Sequence, residues 1–217
     1  VAAYTNVTKM LAHLPLALHP APERALVICF GIGTTFRSAL QHPVRVDAAE
    51  LVGAVERAFP FFYPDARRWR EDPRARVFLN DGRNHLLADR EGYDVIVVDP
   101  SPPLFAAGTV SLYDREFFEL ARRKLKPAGI LGVWLPEAPE EDFRMIMATF
   151  AASFPHVQFW RGEPEGRGLI MVGSSTPIVI TFRGGTLAAG SVAGKVRVRD
   201  SVGTLLAIAA AESAGNL

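Results

Sequence analysis

Short apolar runs alternate with segments of helical period along the first 175 residues. The run at 24–30 (RALVICF), rich in Val, Ile and Leu, reads as a buried strand, and 44–50 (VRVDAAE), 75–80 (ARVFLN), 93–99 (YDVIVVD) and 129–136 (GILGVWLP) read as strands two to five. Between them, 34–41, 51–59, 83–90 and 113–126 place apolar residues at helical spacing, and 140–154 does so after the fifth run. Thr34 is an N-cap candidate for the first of these helices. Pro127 and Gly129 stop the fourth. A last strand pair is predicted over 156–162 and 168–174. The stretch FPFFYPDARRWREDP (59–73) reads as an aromatic and charged connection. Five strand–helix repeats predict right-handed crossovers, hence an α/β fold with a doubly wound, mostly parallel, seven-stranded sheet covered on both faces. After residue 175 the pattern weakens, and 184–200 is rich in Gly and Ala. The expected division is therefore a domain over 1–175 and an irregular C-terminal extension, a tail or incomplete subdomain, over 176–217.

Parallel sheets of this kind bind ligands outside the carboxyl ends of their strands, at the switch point of strand order. That rule selects four places: Gly31–Thr35, Glu50, Asn80–Arg83 and Asp99–Pro103. In CFGIGTT, Gly31 and Gly33 let backbone N–H groups approach a ligand, although an ordinary tight turn needs the same glycines. Phe36 stands where a third glycine would complete a dinucleotide fingerprint. Glu50, roughly twenty residues on, can accept both hydroxyls of a ribose. Its rival is Asp47, and a solvated acid at a helix start is the plain alternative. Asp81 can accept from an exocyclic amino group such as that of adenine, with Gly82 leaving room for the ring; an Asx turn capping the next helix is the alternative. Asp99 ends an otherwise apolar strand. It is either a turn-capping acid or a carboxylate set beside a transferred group, with PSPP as a rigid rim. In strand order the four places make a nucleoside pocket with a reaction-side carboxylate. Tyr93 and Tyr113 are candidates for placing an acceptor or for packing at the sheet edge.

Composition narrows the field. Of 217 residues, 49% are hydrophobic, which means a globular chain. With 24 Lys plus Arg against 23 Asp plus Glu, the net charge of +1 argues against a broad nucleic-acid footprint. One cysteine, Cys29, excludes an intrachain disulfide framework and a Cys-rich zinc site, and it fits a reducing compartment. The histidines show no metal spacing; His85 reads as a surface or packing residue. No secretory signal is visible, and the run LLAIAAA (205–211) is too short to cross a bilayer. The chain begins at Val1, so a fragment or processed product is expected, with any membrane segment lying outside it.

The segments MLAHLPLALHPAPERALVICFGIGTT, VDAAELV, RVFLNDGRNHL, YDVIVVDPSPP and LYDREFFELARRKLKPAGILGVW resemble the spermidine synthase-like aminopropyltransferases, over about residues 9–175. The likeness is greatest to bacterial domains often fused to membrane segments. It implies the Rossmann-like, class I methyltransferase-like fold. It implies no tightly bound cofactor and no metal, but decarboxylated S-adenosylmethionine or S-adenosylmethionine as co-substrate and a small-molecule amine as acceptor. It further implies a cytoplasmic setting, with a parent protein that could be membrane-anchored, and makes a homodimer an expectation. By resemblance Glu50 holds the ribose, Asp81 and Gly82 read adenine, Gly31 and Gly33 line the cofactor turn, and Asp99 is the catalytic base. The chain departs from the pattern where Cys29 and Phe30 replace glycines and where Pro102 replaces a second aspartate that helps hold the amine. Trp134 stands where glutamine is common, and the family's N-terminal hairpin has no counterpart. Two rival readings follow: a methyltransferase using S-adenosylmethionine, and a non-catalytic nucleoside-binding domain of a larger protein.

Overall fold

The computed structural model describes residues 2–100, 104, 106–162, 168–182, 185–188, 195–199 and 205–211. Helix α1 (Ala2–Leu18) leads into β1 (Arg24–Ile28), α2 (Thr34–Ala39) and β2 (Arg45–Glu50). Three short helices follow: α3 (Gly53–Arg57), α4 (Phe59–Phe62) and α5 (Ala66–Arg70). Then come β3 (Ala75–Leu79), α6 (Gly82–Ala88), β4 (Tyr93–Val98), α7 (Ala107–Val110), α8 (Arg115–Lys124), β5 (Leu125–Leu135) and α9 (Glu140–Ser153). The last described strands are β6 (His156–Gly162), β7 (Leu169–Ser174), β8 (Val179–Phe182), β9 (Gly185–Ala188), β10 (Lys195–Arg199) and β11 (Leu205–Ala211).

The sheet runs in the order β3-β2-β1-β4-β5-β7-β6-β11-β10, and β8 pairs with β9 in a separate two-stranded sheet. β1 to β5 are parallel, and β7 inserts antiparallel between β5 and β6. The seven expected strands thus form the body of the sheet, with β11 and β10 added beyond β6. Chain order reverses between β1 and β4, the switch point at which a doubly wound sheet opens a crevice.

Alternation along the strands builds two apolar layers. Ala25 and Val27 of β1, with Val95 and Val97 of β4, face a layer with α1 and α2 that holds Leu11, Phe30, Phe36 and Phe59. Leu26 and Ile28, with Ile96 and Val98, face the opposite layer, which contains Leu86, Phe117, Phe118 and Phe150. Burial on both faces is why these strands read as continuous apolar runs.

Several local expectations change. The connection at 59–73 folds largely into α4 and α5, with Phe59 buried and Phe61 90% exposed. Thr34 is not the cap of α2. Gly33, at φ 83, occupies that position, and Thr34 Oγ1 lies 2.6 Å from the Tyr63 hydroxyl. The strand after α8 begins at Leu125, before Pro127. Tyr93 pairs with Leu125 but Val95 with Ile130, so residues 126–129 bulge outward, and a proline without an N–H costs the ladder nothing there.

Asp47 is removed from the ribose question. It is wholly buried, and it accepts from Arg24 Nη2 at 2.7 Å, Arg76 Nε at 2.8 Å and the Tyr93 hydroxyl at 3.2 Å. Tyr93 likewise belongs to this network at the amino end of β4, where Arg24 also pairs with Asp89. It has no place beside an acceptor. His85 Nε2 lies 2.9 Å from the Tyr93 hydroxyl, as a packing histidine.

Candidate functional site

The carboxyl ends of four adjacent strands are locked level by backbone hydrogen bonds. Cys29 N–H donates to Ala49 O, Asp99 N–H to Ile28 O and Asn80 N–H to Glu50 O, each at 3.0 Å. Cys29, Glu50, Asn80 and Asp99 therefore stand side by side along one edge. The three acids also act on one group. Burial first, then the carboxylates of Asp99, Glu50 and Asp81, push the Cys29 thiol up to about 12. All three sequence-selected carboxylates thus lie near enough to Cys29 for their charge to act on its thiol.

Each acid is held differently. Glu50 is buried. Its Oε2 accepts from the N–H of Phe30 at 3.0 Å and of Gly31 at 3.4 Å, and its Oε1 from Val52 N–H at 2.8 Å. It ties the glycine turn after β1 to the turn after β2, and Oε1, with one donor, keeps an acceptor site for a hydroxyl. Asp81 caps α6, with Oδ1 accepting from Asn84 N–H at 2.9 Å. Its Oδ2 accepts no hydrogen bond among the described residues, so the cap and a ligand contact are compatible. Asp99 is half-buried. Its Oδ2 accepts from the Thr35 hydroxyl at 2.6 Å, and burial raises its carboxyl to about 6, a rise the Thr35 bond opposes.

The glycines divide into two kinds. Gly31 has φ +54, and a Cβ there would meet nothing within 4 Å, so its backbone borders open space. Gly33 has φ +83, and its Cβ would lie 2.5 Å from Phe59, so this glycine lets the turn close on the aromatic layer. Gly82 is required by packing, because a Cβ would collide with the Ile28 side chain. The room it provides is for β1 to approach α6. Phe30 and Phe36 turn inward, with ring centroids 5.1 Å apart, and Phe30 stacks edge-on against Phe59.

Sequence reasoning bracketed Thr35 at the end of the Gly31–Thr35 turn but gave it no role; it is wholly buried. Cys29 was read as a departure from glycine; the structure puts it at φ 69, the left-handed region that glycine adopts freely. Beside Asp99, the buried Tyr113 donates to Trp134 O at 2.6 Å, and burial together with Asp99 and Cys29 raises its phenol. Tyr113 also lines a cavity of about 660 Å³ between the end of β5 and α9, with Leu104, Val110, Pro136, Asp142 and Ile146. The residues 101–103, including Pro102, lie outside those described.

Residues 4–154 match the spermine/spermidine synthase domain. A spermidine synthase of Dictyostelium discoideum is 33% identical over 159 residues, which is 70% of this chain and 54% of that protein. Putrescine N-methyltransferase 3 of Nicotiana tabacum is 35% identical over 136 residues, 59% of this chain and 35% of that one. Among solved structures, a spermidine synthase in complex with the transition-state analogue AdoDATO superposes with a TM-score of 0.69 at 26% identity, covering 79% of this chain and 61% of that one. Human methyltransferase-like protein 13 in complex with SAH, at 20% identity and a TM-score of 0.62, covers 81% of both chains and shares the fold. The chain spans about half or less of the length of these curated relatives.

Proposed function

The chain belongs to the spermine/spermidine synthase family, and from that premise we propose that it transfers an aminopropyl group from decarboxylated S-adenosylmethionine to a small amine. The observation that carries the reading is the placing of Glu50, Asp81 and Asp99 at the level ends of β2, β3 and β4, around the turn after β1 at the switch point. Glu50 would hold the ribose hydroxyls, Asp81 and the Gly82 backbone the adenine, and Gly31 and Gly33 the turn beneath the sulfonium side. The nucleoside is a co-substrate, so no tightly bound cofactor belongs to the proposal.

In the reaction the neutral amine attacks the carbon next to the sulfonium. A C–N bond forms, the C–S bond breaks, and its electron pair leaves neutral methylthioadenosine. An alkylammonium has a pKa near 10.4, so releasing its lone pair at pH 7 costs roughly 4.6 kcal/mol. Asp99 accepts the proton and orients the amine. Its raised proton affinity, about 6, narrows the mismatch with the amine. The cavity beside Tyr113 offers the acceptor's body a mostly apolar wall, with Asp114, Arg115, Glu137 and Asp142 also in its lining.

The 35% identity to putrescine N-methyltransferases favours a second reading, methyl transfer from S-adenosylmethionine onto the same acceptor class. Residues 1–175 are proposed as the nucleoside-binding unit and 176–217 as an appendage. A cytoplasmic site and a homodimer complete the proposal; their support is family resemblance, with the free thiol of Cys29 in keeping with a reducing compartment.

Calorimetry with both donors and with methylthioadenosine, joined to product analysis with a diamine, tests the reading. Aminopropyl product is expected, and Asp99→Asn should keep nucleoside affinity while lowering turnover at least ~100-fold. Methylated product alone selects the second reading. Tight nucleoside binding without product from any amine refutes both.

A further inference from the structure

The Thr35 hydroxyl has one proton and two acceptors. Its Oγ1 lies 2.6 Å from Asp99 Oδ2 and 3.1 Å from the Thr8 carbonyl on α1. Thr35 is wholly buried, so bulk water does not reach it to serve whichever acceptor is left. The conflict resolves through the state of Asp99. When Asp99 is a carboxylate, it takes the Thr35 proton in a short charge-assisted bond, consistent with 2.6 Å. When Asp99 is a carboxylic acid, its own O–H donates to Thr35 Oγ1, and the hydroxyl turns to the Thr8 carbonyl. In both states Asp99 and the Thr35 hydroxyl are bonded to each other, and the Thr8 carbonyl, inside α1, keeps its helical bond when the hydroxyl turns away.

We propose that Thr35 is the positioning residue of Asp99, satisfying it in both protonation states by swinging its hydroxyl between Asp99 and the Thr8 carbonyl of α1. The proposal rests on the reading of Asp99 as proton acceptor, since a group that gains and loses a proton each turnover needs a neighbour able to follow. Other groups facing this carboxyl do not supply that. The Cys29 thiol, beyond the end of β1, and the Tyr113 phenol, before α8, are both held neutral by burial and by Asp99 itself. Glu50 and Asp81 reach the cluster across Cys29 and are acceptors when ionised. Thr35, on α2, is the donor to Asp99 among the described residues.

The Thr35 bond favours the charged form, so removing it makes Asp99 hold its proton to higher pH. Thr35→Val keeps the volume and deletes the donor; Thr35→Ser restores it. Titration of the Asp99 carboxyl carbon by NMR, assigned with Asp99→Asn, should move upward by about one unit in Thr35→Val and return in Thr35→Ser. The kcat profile should follow, with the loss in Thr35→Val greatest below neutrality and recovered near pH 8.5, while KM for the nucleoside holds. Should Thr35→Val fail to fold, the Thr35 hydroxyl proton of the wild type must still shift through the Asp99 transition. An unmoved Asp99 midpoint in Thr35→Val, or a Thr35 hydroxyl blind to that transition, overturns the proposal. Full activity in Asp99→Asn would instead overturn the role of Asp99 and leave the titration link to be judged by its own spectra.

Discussion

Asp99 carries opposite consequences for chemistry and for stability. Its carboxyl is raised from 3.8 to about 6 by burial, so between those values the folded chain holds a proton that the unfolded chain has released. Stability is therefore fully present below about pH 4 and falls as pH rises through 6. A shift of about two units is worth at most about 3 kcal/mol, less where solvent reaches the half-buried carboxylate. Asp99→Asn keeps an oxygen for Thr35 and loses the buried charge. Urea denaturation should find it more stable than wild type by on the order of 1–3 kcal/mol at pH 7.5, and equal near pH 4; equal stability at both would deny the desolvation cost. This acid was legible because no strand interior explains a carboxylate at the tip of YDVIVVD. The hold on it was not, because nothing in the sequence says that Thr35 reaches across from α2. Gly82 shows the same limit: its place beside Asp81 was readable, but its collision with Ile28 depends on how closely β1 and α6 approach.

At the scale of elements, β1 and β4 were legible because burial on both faces leaves unbroken Val, Ile and Leu runs. What escaped was set by tertiary contacts. Helix α1 contains Pro15, which argues against a helix interior in isolation, since a proline there breaks a backbone bond. The reason it survives lies in β5. A Cβ on Gly132 would stand 2.6 Å from Pro15 Cγ and 3.3 Å from Val97 Cγ1, so a glycine in the strand makes the seat for a proline in the helix. Gly132→Ala should lift α1 from the sheet and cost about 1–3 kcal/mol, the scale of overpacking a tight core. Hydrogen exchange should then quicken in α1 more than in α8 or α9. An unchanged urea midpoint would mean that α1 shifts without cost. Because Thr8 belongs to the same helix, this substitution should also disturb the Thr35 hydroxyl, tying helix docking to the site.

Across the whole molecule, the site occupies one end of one half of the sheet. Glu50, Asp81 and Asp99 come from the ends of β2, β3 and β4 around β1, while β7, β6, β11 and β10 extend in the other direction, beyond β5. β11 joins through β6, pairing Ile208 with Gly162 and Ala211 with Phe159, several strands from the switch point. The apolar layer with α1 nevertheless reaches past residue 175, since Ile178 is buried in it. A cut after Phe182 spares this layer. Removing 183–217 should therefore leave methylthioadenosine affinity within about twofold, because Gly31, Glu50, Asp81 and Asp99, the groups proposed to build the site, all precede the cut. It should also leave β6 as an open edge, and unpaired strand edges promote association between chains. Calorimetry should report retained binding, and light scattering a rise in self-association. A truncated chain that stays folded by circular dichroism but no longer binds the nucleoside would move part of the pocket into the C-terminal segment and end the assignment of residues 176–217 as an appendage.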